Sequence, residues 1–438
     1  MGAALVALCL LSADLGAQAS IASSGGTPGE SAFAPGVFAF QASVASELRA
    51  GVAPVVPGAE SESFVAEILT PRLALDLRNP GLVFSAWYAA RIFWEDPHPP
   101  SASATLILHT FGLTLDARRF RSVVVTASAI GSIGEPDYTT LAGMLGGIQP
   151  TLPPVVDVAT VDGQARVAVN LTERWGMSLG GRVTYWQWLD ISPGTVMPPG
   201  TVTSQTSVTA EPATRYLLTT RDALGLAAGL GWVSYSYGAG AFTISPVATW
   251  RSRLDRGTDL NARLGFTYVH ALGSPPPGVT PLLGVGRTEA VSPIGSVEVI
   301  VHLLRRDEIV FLGRGSAVVD FYLDPVLGTA VPRGTAVAEL SAVTAPSWTI
   351  TLRGEFATAL ESVPPLPGGP PDETAFTVSL AARRRVTENF YAELGGRWAN
   401  RGPTLDTPGF RFDQPQLWAY LSLTATTRPI PRPTLPRD

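Results

Sequence analysis

Trp348-Thr-Ile-Thr-Leu-Arg-Gly-Glu-Phe356 is the stretch on which the reading of this chain turns. Taken with period two, it sets Trp348, Ile350, Leu352 and Phe356 on one face and Thr349, Thr351, Arg353 and Glu355 on the other. That is a β-strand between an apolar and a polar medium. A strand of a soluble sandwich has the same look. Two things separate the cases: the pattern returns along nearly the whole chain, and its ends carry aromatics and one kind of connection at each edge. Phe38, Phe40, Ala42 and Val44 alternate with Ala39, Gln41 and Ser43, and Phe84, Ala86, Tyr88, Ala90 and Ile92 share a face. Leu260, Ala262, Leu264, Phe266 and Tyr268 oppose Asn261, Arg263 and Thr267, while Phe311 to Phe321 repeats the alternation against Arg314, Ser316 and Asp320.

Composition narrows the class. The 438 residues are 45% hydrophobic and 15% charged, yet no run of 18 apolar residues follows the first twenty, which excludes a helical membrane protein. The net charge is -5, and all 31 basic residues are arginine. No basic patch is interleaved with aromatics, so a nucleic-acid partner is not expected. The 44 glycines and 38 prolines suit many strands joined by many turns.

The apolar run Met1 to Leu11 followed by Ala17-Gln18-Ala19 reads as a secretory signal peptide over residues 1–19, although no Lys or Arg precedes it and Asp14 lies near its end. Cys9 is the only cysteine, so the mature chain forms neither a disulfide framework nor a Cys-ligated metal site. Residues 20–35, rich in Gly, Ser and Pro, read as a flexible lead-in, 36–427 as the strand-bearing domain, and 428–438 as a proline-rich periplasmic tail. Within the strand Glu62 to Arg78 the phase slips near Thr70-Pro71, which reads as a bulge.

Two kinds of connection alternate. Short polar ones include Asn79-Pro-Gly81, Arg118-Arg119, Thr172-Glu-Arg174, Thr220-Arg-Asp222, Asp255-Arg-Gly257, Thr344-Ala-Pro346 and Arg384 to Asn389. Longer ones, mostly proline-rich, include Arg49 to Glu60, Asp96 to Ser103, Gly131 to Pro154, Ser192 to Gln205, Gly273 to Pro281 and Val363 to Asp372. Consecutive strands run antiparallel, so each kind gathers at one edge. The expected fold is an all-β, closed antiparallel up-and-down transmembrane β-barrel of about 18 strands, with 16 as the alternative. Trp175, Trp250, Trp348 and Phe390 near the short turns and Tyr185, Tyr268 and Trp398 near the long loops form the expected membrane girdles. Phe390 and Trp398 are eight residues apart, which at strand rise and barrel tilt spans about 20 Å of membrane. Closure leaves no edge groups unpaired in lipid. A soluble propeller or sandwich is the competing fold; it needs protein partners for every apolar face.

At this level of pattern, over about Val37 to Thr427, the chain resembles the Gram-negative outer-membrane porins and related channels. The resemblance implies a bacterial outer-membrane location, lipids and small solutes as partners, insertion by the barrel assembly machinery, and trimerisation as one possible assembly. One departure is plain: the last strand, Gln416 to Thr427, carries Trp418 and Tyr420 internally and does not end the chain on an aromatic. In those porins the third external loop folds inward. Here that loop holds Tyr138, Leu141, Met144, Leu145 and Ile148, too apolar a set to stand in water, and it is the expected constriction.

On the predicted interior face lie Arg91, Arg166, Arg182, Arg215, Arg251, Arg253, Arg263, Arg314, Arg353, Arg383 and Arg397, with Asp116, Asp162, Glu298, Asp320, Glu339, Glu355 and Glu393. Two readings stay open: a wet lumen that favours anions, or a set of Arg–carboxylate pairs that stiffen the wall without selectivity. Catalysis is not expected, because His98, His109, His270 and His302 are scattered; the best acid–base pair is His302 with Glu298. Metal-ligand clusters and phosphate loops are absent from the sequence, so no cofactor is expected. The leading function is a passive porin-like channel for small polar solutes, with anions as the narrower expectation. The alternatives are a transporter of hydrophobic molecules, suggested by the apolar third loop and interior Trp87, Trp186 and Trp188, and a structural or adhesive barrel.

Overall fold

The computed structural model describes residues 37–54, 61–79, 81–96, 105–120, 122–136, 156–191, 203–236, 238–254, 257–273, 288–306, 309–323, 330–344, 348–360, 374–401 and 416–427. They form eighteen strands: β1 (Val37–Pro54), β2 (Ser61–Asn79), β3 (Leu82–Asp96), β4 (Thr105–Phe120), β5 (Val123–Gly134), β6 (Val156–Asn170), β7 (Trp175–Ile191), β8 (Ser204–Leu217), β9 (Asp222–Tyr235), β10 (Gly240–Arg253), β11 (Thr258–Leu272), β12 (Glu289–Arg306), β13 (Ile309–Leu323), β14 (Ala330–Thr344), β15 (Trp348–Ala359), β16 (Thr374–Arg385), β17 (Phe390–Arg401) and β18 (Gln416–Thr426). Each pairs antiparallel with the next, and β1 pairs with β18 from Ser43–Thr426 to Val52–Leu417, which closes the sheet on itself. The signal peptide, the lead-in, the proline-rich tail and the third-loop residues Tyr138, Leu141, Met144, Leu145 and Ile148 lie outside the described residues.

Period two holds through every strand because each separates the same two media. Outward rows carry the large exposed apolar side chains, such as Leu224, Leu226, Leu230 and Trp232 on β9 and Trp348, Ile350, Leu352 and Phe356 on β15. Antiparallel partners share a face, so the register propagates this assignment around the barrel. Trp175 pairs with Tyr216 and Trp348 with Arg384 at the short-turn rim, where the Arg384 guanidinium lies 5.2 Å over the Trp348 ring. At the long-loop rim, outward Phe376 and Trp398 meet edge to face at 5.6 Å. Aromatic residues thus stand at both ends of the apolar rows.

Three of the short turns are built alike. In Leu171–Trp175, Leu218–Asp222 and Val386–Phe390 the first two backbone N–H groups donate to the carbonyl of the last residue. The second residue is a threonine whose hydroxyl accepts from backbone N–H groups ahead of it: Thr172 from Arg174 and Trp175, Thr219 from Arg221 and Asp222, Thr387 from Asn389. A Thr at this position satisfies donors the ladder cannot reach.

Two readings of the sequence need correction. Strand β1 runs on to Pro54, into the Pro/Gly stretch from Arg49 expected as a connection. Strand β2 has no bulge at Thr70-Pro71: its register with β1 is unbroken from Val37–Arg78 to Pro54–Ser61, and its register with β3 is the same on both sides of a lapse at those two residues. The lapse has a simple cause, since proline lacks the N–H that the ladder to β3 requires. The apparent change of phase arises because Phe64, Ala66 and Ile68 are apolar residues that face inward. Register shifts occur instead between Ala117 and Phe120, between Asp157 and Val158, and between His302 and Leu304.

Candidate functional site

The inner wall is where this fold can act on a solute. Its identity as the interior follows from contacts that skip strands. Glu211 of β8 and Arg263 of β11 approach to 3.3 Å although β9 and β10 lie between them, which is possible only across the concave face. Beneath that bridge β9 presents Gly225, Ala227 and Gly229, residues no larger than a methyl group, so the two side chains lie flat over the wall.

The register places Arg91, Arg166, Arg182, Arg251, Arg253, Arg263, Arg314, Arg353, Arg397, Asp320, Glu355 and Glu393 on the inward rows. Along β6 to β15 many of them are joined in ion pairs. Arg182 Nε donates to Asp162 at 2.9 Å, Arg314 Nε to Glu298 at 2.8 Å, and Asn261 to the second oxygen of Glu298 at 3.2 Å. Arg353 lies between Glu355 and Glu339, the latter at 3.8 Å. At the short-turn rim Arg253 meets Asp259 at 3.2 Å. Arg166 donates to the Ser178 hydroxyl at 2.9 Å.

From β16 through the closing seam to β3 the partners are different. The guanidinium of Arg383 lies 3.9 Å from the Tyr391 ring centre, that of Arg397 5.3 Å from Trp418, and that of Arg72 4.5 Å from Trp87. Tyr420 donates its hydroxyl to Glu393 at 2.8 Å. Glycines make room for these rings: a Cβ on Gly112 would stand 2.4 Å from the Trp87 indole, and one on Gly395 would stand 2.4 Å from Tyr420.

Two apolar clusters occupy the interior toward the long-loop rim. One joins Phe64, Ala66 and Ile68 to Phe93 and Trp418, and the other joins Val233, Tyr235, Ala241 and Val269. Trp186, Ala271 and Ala290 pack against the second, and Trp186 donates its indole N–H to Gln205 at 2.9 Å. Arg49, Arg72, Glu211 and, apart from Trp186 and Trp418, these inward apolar residues were not singled out by the sequence. For Arg72 a signal existed, since it shares parity with Ala74 and Asp76.

The histidines do not converge. His109 faces outward and shares a 2.7 Å hydrogen bond with the Tyr88 hydroxyl, His270 lies outward 3.5 Å from Glu289, and His302 bonds the Gly257 carbonyl at 3.1 Å. Glu298, the partner considered for His302, is engaged by Arg314 and Asn261. His98 lies outside the described residues. Among the described residues no three His, Cys, Asp or Glu side chains gather as metal ligands.

No family model matches the chain, and no curated protein matches it. Among solved structures it is similar to the FrpB iron transporter from Neisseria meningitidis, at 10% identity over 89% of this chain and 68% of that one, with a TM-score of 0.48. It is also similar to OprD of Pseudomonas aeruginosa, at 8% identity over 90% and 96% of the two chains with a TM-score of 0.43. OccAB2 of Acinetobacter baumannii matches at 7% identity over 89% and 97%, again with a TM-score of 0.43. By its own register and its apolar outward rows this chain is a closed, eighteen-stranded antiparallel transmembrane β-barrel.

Proposed function

We propose that this protein is a passive outer-membrane channel for small polar solutes with a preference for anions. The observation that carries the reading is the contrast of faces: charged and hydrogen-bonding side chains recur on the inward rows of strands all around the barrel, whose outward rows are apolar. A wall of that kind hydrates, and its low-dielectric surroundings focus the field of its arginines. The neutral ion pairs of β6 to β15 contribute little net field, so the anion preference rests on the excess of arginines over carboxylates on the inward rows, Arg383 over the Tyr391 ring among them. The third external loop is the proposed constriction, and deleting Tyr138 to Gln149 should raise conductance.

The test is single-channel recording of the refolded protein in a planar bilayer under a salt gradient. Discrete steps with an anion-selective reversal potential are expected, moving toward cations in Arg72→Gln with Arg383→Gln. A barrel that is folded by heat-shifted migration yet electrically silent overturns the proposal. A second reading, transport of hydrophobic molecules, is favoured by the inward cluster of Phe64, Ile68, Phe93 and Trp418.

A further inference from the structure

Not every arginine of the β6–β8 wall is matched. Asp162 of β6 is taken by Arg182, and Glu211 of β8 is drawn across β9 and β10 to Arg263. That leaves Arg166 on β6 and Arg215 on β8. Both are exposed, both share the inward parity of Asp162 and Glu211 on their own strands, and among the described residues no carboxylate pairs with either.

The two converge on the strand between them. Strand β7 turns Gly176, Ser178 and Gly180 inward below Arg182, so its inner face there is nearly bare. Arg166 crosses onto it from β6, its Nη2 donating to Ser178 Oγ at 2.9 Å. Arg215 crosses onto it from β8, with Nη2 3.7 Å from the place a Cβ would take on Gly176. Ser178 and Gly176 are successive inward positions, about 7 Å apart along the strand. Two like charges held that close repel, and their own wall supplies nothing to offset them.

The surroundings are those of a donor set that lacks an acceptor. The same Cβ position on Gly176 is 3.2 Å from Asn170 Oδ1, so the Asn170 amide shares the corner with Arg215. The Ser178 hydroxyl accepts from Arg166 and keeps its hydrogen to donate, and the Asn170 amide adds two donors. Gly180 lies directly across from Arg166, and a Cβ there would meet nothing closer than 3.8 Å, so open space stands over the floor. Two N–H···O bonds of about 2.8 Å and the width of an oxyanion fill the gap between the guanidinium groups. The planar forks suit a tetrahedral oxyanion better than a spherical halide, and two unmatched charges suit a dianion.

We propose that Arg166 and Arg215, with Ser178 and Asn170, form a binding station for a phosphate-type dianion, free or at the end of a small organic solute, near the short-turn mouth of the lumen. The station rests on the channel reading for delivery of its ligand and narrows the solute class to anions that hold two guanidinium groups at once.

The test follows chloride current through the full refolded protein in a planar bilayer, with inorganic phosphate, glycerol phosphate or glycerol added. Both phosphates should interrupt the current and glycerol should not; interruption by inorganic phosphate alone assigns the station to the free anion. In Arg166→Gln with Arg215→Gln the half-blocking concentration should rise at least about tenfold, the loss of one charge-assisted hydrogen bond or more. Gly180→Leu, which fills the space and removes no charge, should raise it in the same direction. Arg182→Gln with Asp162→Asn, which removes a matched pair on the same strands, should leave the block as it was. Calorimetric titration of the detergent-folded barrel with inorganic phosphate needs no current: binding is expected in the parent and lost in the double variant, whose heat-shifted migration reports that it is folded. Block or binding as strong in the folded double variant as in the parent, or unaltered in Gly180→Leu, overturns the station. A silent barrel that binds phosphate through these arginines upholds the station and overturns the channel alone, whereas an anion-selective barrel that phosphate neither blocks nor binds overturns the station alone.

Discussion

Along β6 to β15 the inner wall holds Arg182, Arg263, Arg314 and Arg353 against carboxylates; from β16 across the seam to β3 it lays Arg383, Arg397 and Arg72 over aromatic rings, with the Arg49–Glu47 ion pair among them on β1. Both arrangements fix a guanidinium, but they leave different fields. An ion pair cancels at a distance, whereas contact with a ring does not cancel the guanidinium charge and adds about 0.5 to 2 kcal/mol from the ring quadrupole. The first arc therefore serves mainly to brace the wall, and in the second Arg383, over the Tyr391 ring, holds a charge that can act on what passes.

The largest way to break this contrast is Gly112→Val. Its new side chain collides with the Trp87 indole, drives the ring off Arg72, and should cost about 2 to 3 kcal/mol by overpacking, read as a lower midpoint of heat-shifted migration. Next is Arg353→Ala, which leaves Glu339 and Glu355 facing each other. At 20% side-chain exposure the expected loss is about 1 to 2 kcal/mol, below the value for a fully buried pair, and adding Glu355→Gln should recover part of it. Trp87→Leu removes the stack on Arg72 but keeps the charge: about 1 kcal/mol of stability goes, and the reversal potential stays. The smallest effect is expected of Arg182→Gln with Asp162→Asn, which deletes an ion pair as a unit and should alter neither stability by more than about 1 kcal/mol nor selectivity. A selectivity change there as large as that of Arg383→Gln would erase the distinction between the arcs.

The sequence carried the barrel because alternation is a local property. Trp348 to Phe356 declares its two faces without reference to any other strand, and so do the outward rows of β11 and β13. Strand β2 shows the limit of that logic. Its Phe64, Ala66 and Ile68 are apolar for an interior reason, and a rule equating apolar with lipid-facing turns them into a false bulge. The inward position of single arginines was legible in the same local way, but their partners were not. That Arg263 reaches Glu211 over two strands depends on register, and that Arg72 stacks on Trp87 depends also on the small residue at Gly112.

The seam between β1 and β18 bears on how this molecule comes into being. Gln41 donates to Thr426, 385 positions away in the chain, whereas the other strand pairs join neighbours in sequence. Seventeen hairpins can zip one after another at low contact order, each closing only a short loop. The eighteenth pairing must wait for the last residues to be made, and bringing such distant segments together from an unfolded chain would cost about 5 kcal/mol in closure entropy alone. Prior zipping lifts most of that burden by turning the chain into a curved ribbon whose two edges already face each other. The open ribbon, with β1 and β18 both exposed, is thus the last and most aggregation-prone species on the route, and the stage at which a helper that shields strand edges has most to offer.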